Sequence, residues 1–317
     1  MALDHYVSQV HLKNFYAPEL GKRMYAIRKI GLKIYQCDSY SQCRIEDGST
    51  NPYLQEPRVV EEFLNDVEPR YNAALEKLRA GQLDAESIFA VAGFAAYVES
   101  CSPAGMRIHS ASLRNTLEIT AELLEKGGHL PPAPLELGGA SLSELLSSGR
   151  VQFEVDPKYP QSIGIQTILK RLSIWGNSRW DILINEDKES PFFTSDYPVA
   201  IELGERPGIM NRIVPLAPNL AIRIKPDLEE RGIVDLEFRN LRIRRWMATK
   251  QQVAAVNKAI VQGAETTVYY SSERPWITRF VGKYADFHIE PRAMKVPHGD
   301  GYMMVSTIAV GRKTLGV

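Results

Sequence analysis

Apolar positions recur along this chain at two different spacings, and the change between them divides it. From about residue 57 to 174 the spacing is helical. Val60, Leu64, Val67, Tyr71, Leu75 and Leu78 return every three or four residues, with Pro57 suited to a first turn and Gly81 as a stop. Pro69 lies inside this stripe and predicts a kink, because it lacks one helical N–H and crowds the preceding turn. Residues 85–98 are apolar nearly all round, with Gly93, Ala95 and Ala96 small enough for close packing, which is the pattern of a buried central helix. A further helix starts after Ser102-Pro103 and runs to Lys126, where Gly127-Gly128 ends it, and the proline-rich residues 130–134 form a stiff linker. Residues 141–148 predict a short helix, 151–155 a strand and 161–174 an amphipathic helix.

Elsewhere the period is mostly that of strands. Residues 22–35 set Tyr25, Ile27, Ile30, Leu32 and Ile34 among lysines and arginines, predicting a hairpin broken near Lys29, and residues 36–56 read as loop. Residues 5–15 predict one or two helical turns. Two short apolar runs, 180–184 and 192–194, flank a charged turn and predict a hairpin of buried strands; further strands are predicted at 199–203, 212–215, 220–224, 234–238, 268–270 and 302–310. Thr249-Lys-Gln-Gln252 is a capping box, followed at helical spacing by Val253, Val256, Ile260, Val261 and Ala264. Links between the later strands are too short for crossover helices. The expectation is an α+β fold in a single domain, 1–317. The N-terminal hairpin and a helical half to about 175 would pack with a mostly β half, 176–317, on a mostly antiparallel sheet.

Composition narrows the function classes. With 317 residues, 44% of them hydrophobic, the chain has ample material for a core. Its 38 basic and 38 acidic residues give a formal net charge of +0, so there is no strong nucleic-acid signature and any polyanion contact must be local. No run of about 18 apolar residues and no secretory leader pattern occurs, and Cys37, Cys43 and Cys101 contain no Cys-x-x-Cys pair. These features predict a cytoplasmic protein with reduced thiols and no membrane association. Phosphate-loop, His-Glu-x-x-His, Gly-x-Ser-x-Gly and zinc spacings are all missing from the sequence.

The chemistry that remains is scattered. Ser195 and Asp196 follow a predicted strand and precede Pro198, so they sit on a rigid turn and either close it through backbone N–H groups or face a ligand. Asn257 falls on an apolar helical stripe, where its amide needs a partner in the fold or in a substrate. Arg239, Arg242, Arg244 and Arg245 could grip phosphate or form a solvated basic face.

His5-Tyr6-Val7, Gln9 and Leu12-Lys13-Asn14-Phe15 open a series of marks that continues with Val67-Glu68, Phe193-Thr194-Ser195-Asp196-Tyr197-Pro198-Val199, Pro215-Leu216-Ala217-Pro218-Asn219 and Asn257 ahead of Ala264. Over nearly its whole length the chain thereby resembles the bacterial family called domain of unknown function 4238. Two positions depart from the family pattern: Ser8 stands where Pro is usual, and Cys101-Ser102-Pro103 where an Arg-Thr-Pro step is usual. The resemblance implies an intracellular bacterial protein with one domain and supplies no established reaction. The leading expectation is a hydrolase of a phosphate ester in a nucleotide or nucleic acid. His5, Glu68 and Asp196 would act as acid, base or ligand, Asn14, Ser195 and Asn257 would orient the substrate, and a divalent metal such as Mg²⁺ is a candidate cofactor. The alternative is a non-catalytic binding or interaction protein in which these residues form a buried polar network. The enzyme expectation requires His5, Glu68, Asp196 and Asn257 to converge.

Overall fold

The structure, a computed structural model, describes residues 3–131, 134–206, 208–227, 233–299 and 301–313. The chain opens with β1 (Leu3–His5), the short helix α1 (Gln9–Lys13), the hairpin β2 (Met24–Arg28) and β3 (Ile34–Cys37), and β4 (Arg44–Glu46). The helical half comprises α2 (Val59–Ala80), α3 (Ala85–Cys101), α4 (Pro103–Lys126), α5 (Leu142–Ser147), α6 (Lys158–Gln166) and α7 (Ile168–Gly176). Then come β5 (Arg179–Ile184), β6 (Thr194–Ser195), β7 (Ala200–Leu203), β8 (Met210–Ala217), β9 (Leu220–Lys225) and β10 (Arg242–Met247). The chain continues through α8 (Lys250–Gly263), β11 (Thr267–Tyr270), α9 (Trp276–Tyr284), β12 (Phe287–His298) and β13 (Gly301–Arg312). The fold class is α+β.

The two larger sheets run β10-β5-β9-β8-β7 and β3-β2-β11-β6, antiparallel except where β10 lies parallel to β5. Helix α3 is buried over most of its circumference and packs against α2 and α7. Gly93 permits this contact, since a Cβ there would sit 2.8 Å from Val67 Cγ2. The main core joins α2, α3, α6 and α7 to the inner face of the five-stranded sheet through Trp180, Ile182, Val214 and Ile222. A second core gathers Leu183, Ala200, Ile213 and Ala221 on the other face of that sheet beneath Val253, Val256 and Ile260 of α8, and includes Ile27 and Val268 of the second sheet. The Thr249 capping box, the αL Gly81 at the end of α2 and Pro69 within α2 all lie where the pattern puts them.

Several expectations are corrected. Residues 180–184 and 192–194 do not form a hairpin with each other. β5 pairs with β9 and β10 while β6 pairs with β11, because the intervening backbone crosses the β8–β9 turn: Asn185 N–H donates to the Asn219 carbonyl (2.9 Å) and Phe192 N–H to the Pro218 carbonyl (2.8 Å). Residues 234–238 form no strand. Asp235 N–H donates to Ser173 Oγ (2.8 Å), and Phe238, at φ 55°, lays its ring on Gly176. Residues 151–155 likewise join no ladder, and Val151 N–H donates to the Leu145 carbonyl. The helix expected over 161–174 is divided at Thr167 into α6 and α7, and β1, β4, β10, α9 and β12 were not anticipated.

One buried polar residue ties the first helix to both halves. His11 is fully buried, stacks on Phe94 at 4.5 Å between centroids, and reaches Tyr71 Oη and Thr194 Oγ1 at 2.8 Å each. Both partners are hydroxyls that can donate or accept, so a neutral imidazole is satisfied in either tautomer. Burial holds its pKa down at about 3. Because this lies below the value of about 6.5 in an unfolded chain, stability held by neutral His11 is present above about pH 6.5 and is lost as pH falls toward about 3. Denaturant unfolding of the native chain should therefore weaken across that window, and His11→Gln should be less stable at pH 7 with a flatter pH dependence. Equal slopes for the two proteins would show that His11 does not set the acid limit.

Candidate functional site

Asp196 lies just past β6 and acts on the start of β11. Its Oδ1 accepts from Glu265 N–H (2.9 Å), and its Oδ2 from Thr266 N–H (2.7 Å), Thr266 Oγ1 (2.6 Å) and Thr267 N–H (3.0 Å). Burial pushes this carboxyl above its ordinary range, and the four donors pull the other way. Ser195 Oγ accepts from Tyr197 N–H at 3.1 Å, closing the turn. Asn257 clamps the incoming strand, donating to the Pro191 carbonyl and accepting from Phe193 N–H, both at 2.9 Å. Ser195, Asp196 and Asn257 are all buried and meet backbone partners.

The other expected residues lie elsewhere. His5 is half-buried with Nε2 3.1 Å from the Tyr40 carbonyl, and its own carbonyl accepts from Tyr97 Oη at 2.6 Å. Glu68 Oε1 accepts from Ser8 Oγ at 2.5 Å, while Asn14 donates to the Val10 carbonyl and to Asn72 Oδ1, each at 2.9 Å. Among the described residues no hydrogen bond joins His5, Glu68, Asp196 and Asn257 to one another. Nor does this set fit a divalent cation. The Asp196 oxygens face hydrogen-bond donors, and among the described residues no three His, Cys, Asp or Glu side chains come together as metal ligands.

A different constellation opens onto solvent. Glu99, near the C-terminus of α3, has a side chain only 8% exposed and is ion-paired to Arg212 of β8, with Arg171 Nε of α7 at 4.0 Å. Arg171 Nη1 also donates to Ser100 Oγ (2.6 Å), and Arg212 Nη1 donates to the Met210 carbonyl (2.9 Å) while its guanidinium lies over Trp175. Burial pushes the Glu99 carboxyl up, but Arg212 and Arg171 more than offset this and hold it below its ordinary value. These residues line a cavity of about 580 Å³ together with His109 and Lys170. Two guanidinium groups thus meet one carboxylate while Lys170 lines the same cavity, and the Nη2 atoms of Arg171 and Arg212 have no hydrogen-bond partner among the described residues. Burial and then Arg171 lower the His109 pKa, so its imidazole is neutral at pH 7.

Sequence reading missed this site because its parts come from α3, α4, α7 and β8. The available signal was Glu99, a carboxylate directly after a run apolar all round, which needs a cationic partner once buried.

The architecture is thus an α+β scaffold with a cationic cavity between its helical half and its larger sheet. The model for the family described as a protein of unknown function, DUF4238, matches residues 4–274, and the chain belongs to that family. No curated protein and no solved structure matches it. Among the described residues no helix is long and apolar enough to cross a membrane.

Replacing Asp196 by Asn turns one accepting oxygen into a donor that faces backbone N–H groups. An unsatisfied buried group of this kind costs about 1–3 kcal/mol. Asp196→Asn should therefore lower the unfolding free energy by about that amount in denaturant titrations; unchanged stability would remove Asp196 from the framework.

Proposed function

We propose that this chain is a hydrolase of small phosphate esters and that the substrate's phosphate binds in the Glu99–Arg171–Arg212 cavity. One observation carries the reading: a buried carboxylate holds two arginines from different elements at the wall of an open cavity of nucleotide-sized volume. Glu99 sets the guanidinium planes, and the remaining nitrogens suit phosphate oxygens, for which arginine is the fitting residue. Neutral His109 supplies the base. It takes a proton from water as the water oxygen attacks phosphorus. The phosphorus–oxygen ester bond then breaks, and the leaving alkoxide collects the proton from the imidazolium. Asp196, Ser195 and Asn257 belong to the framework in this reading, and Glu68 braces the start of α1 through Ser8. Three buried free thiols, Cys37, Cys43 and Cys101, suit a cytoplasmic setting.

A second reading is a non-catalytic binding protein. It is favoured by the four donors on Asp196, which leave the Ser-Asp turn a structural element.

Calorimetric titration with AMP and TMP, and assay of inorganic phosphate release, separate the two. Binding should weaken roughly tenfold in Arg171→Gln, the loss of about one charge-assisted hydrogen bond. His109→Ala should bind normally and release no phosphate. In the native chain the rate should rise with pH through a midpoint below about 6.5 and then level off, since the neutral imidazole is the active form. Binding without turnover selects the second reading, and failure of both mononucleotides to bind refutes the cavity as a phosphate site and with it the hydrolase reading.

A further inference from the structure

The arginine run that stands out in the sequence forms an outer strand. β10 hydrogen-bonds to β5 along one side only, ending the five-stranded sheet, and all six of its residues are exposed. Its register places Arg242, Arg244 and Trp246 opposite Arg179, Asp181 and Leu183 of β5, so these three side chains project from one face. Acids on that face are already engaged. Asp181 lies 2.9 Å from Lys225 Nζ, Glu205 pairs with Arg179 and Lys225, and Glu202 pairs with Arg223. Arg242 and Arg244 therefore have no ion pair among the described residues, although the chain has as many acids as bases. Trp246 is 39% exposed beside them.

This row also leads somewhere. Arg242 lines a hollow of about 310 Å³ that shares Lys170, Ile174, Ile209 and Pro226 with the phosphate-binding cavity. The hollow is lined by three acids as well. Glu205 is paired as above, the Asp235 carboxylate accepts the backbone N–H groups of Glu237 and Arg239, and Asp227 is the third. Cations spaced two residues apart along an extended strand stand about 6.6 Å from one another, which suits a charged backbone lying alongside, and an exposed indole offers a stacking surface to any unpaired base.

We infer that a single strand of nucleic acid lies along β10, with phosphates on Arg242 and Arg244 and a base on Trp246, and passes through the hollow at Arg242 into the cavity. This names the polymer that carries the phosphate ester and rests on the reading given above. A duplex keeps its bases paired and cannot stack one on Trp246. An acidic peptide would find the same arginines but has no use for the indole.

The test is fluorescence anisotropy of a labelled oligothymidylate of about ten nucleotides over a range of salt concentrations. It compares the full native chain with Arg242→Ala/Arg244→Ala and with Trp246→Ala, all at exposed positions. The native chain should bind the oligomer at least tenfold more tightly than TMP. Loss of two phosphate contacts should flatten the plot of log affinity against log salt by about 1.4, at ~0.7 per phosphate on a single strand. Trp246→Ala should weaken binding without changing that slope, and TMP binding should be the same in every β10 variant. An unchanged slope in the double variant overturns the inference, as does competition by the matching duplex or by polyglutamate as strong as that of unlabelled oligomer. If TMP binds the native chain and the oligomer binds no more tightly, the strand track falls and the cavity reading stands. If TMP fails to bind while the oligomer still depends on Arg242 and Arg244, the cavity reading falls and the β10 contact stands.

Discussion

Burying α3 on nearly every side imposes the constraint from which the rest of this architecture follows. A helix packed that way can carry a carboxylate near its end only if cations come to meet it, because an isolated buried charge costs far more than a fold's net stability can offset. Glu99 is that carboxylate, and Arg212 and Arg171 reach it from β8 and α7. The pairing connects the sheet to the helical layer at one place, and it fixes two guanidinium groups at the rim of a cavity. A structural requirement of the core thus places two guanidinium groups at the wall of a solvent-facing cavity.

The second sheet is attached by neutral or backbone-satisfied polar groups instead. After β5 the chain leaves the five-stranded sheet, and Asn257 grips it at Pro191 and Phe193 before β6 pairs with β11. Asp196 then gathers the N–H groups of residues 265–267, where α8 gives way to β11. Lys29 closes the same corner, its ammonium donating to the Ala264 and Phe287 carbonyls at 2.6 Å each. Burial lowers its pKa to about 8, with Lys313 adding to the effect, yet it caps the C-terminal end of α8, where a cation is favoured by the helix dipole. Convergence of these groups on backbone atoms explains why they are polar and buried without invoking a ligand.

What could be read in advance follows the range of the interaction. The stripe of α2, the all-round apolar α3 and the Thr249 capping box are local patterns, and each lies where its pattern puts it. The mistaken hairpin at 180–194 had its first strand in place as β5, but its second overlaps β6 only at Thr194 and has a different partner, because the path of residues 185–193 depended on where Asn219 and Pro218 came to rest. β10 was unreadable as a strand: its arginines break the alternation, and its place parallel to β5 depends on residues about 60 positions away. The Ser195-Asp196 turn and Asn257 were visible as buried polar groups needing partners, but the partners themselves were not. The cationic cavity was less legible still, since four elements supply it and no short segment contains two of its charged groups from different elements.

The departure of this chain from its family's pattern can be argued on the same ground. Where an Arg-Thr-Pro step is usual, it has Cys101, Ser102 and Pro103. Ser102 caps α4 by accepting from Gly105 N–H, and Pro103 occupies the first turn, so the helix start needs nothing from position 101. Cys101 is 1% exposed, and burial raises its thiol pKa to about 12, an inert group of small volume. Gln161, Arg171 and Lys158 act on that thiol in the opposite sense, which places two cations from α6 and α7 within electrostatic reach of the position. Positive charge at this end of α3 thus comes from neighbouring helices and not from α3 itself. An arginine at 101 would have to share a buried region with Arg171, which is already committed to Glu99 and Ser100, and the cysteine avoids that like-charge contact while leaving the Glu99 pair intact.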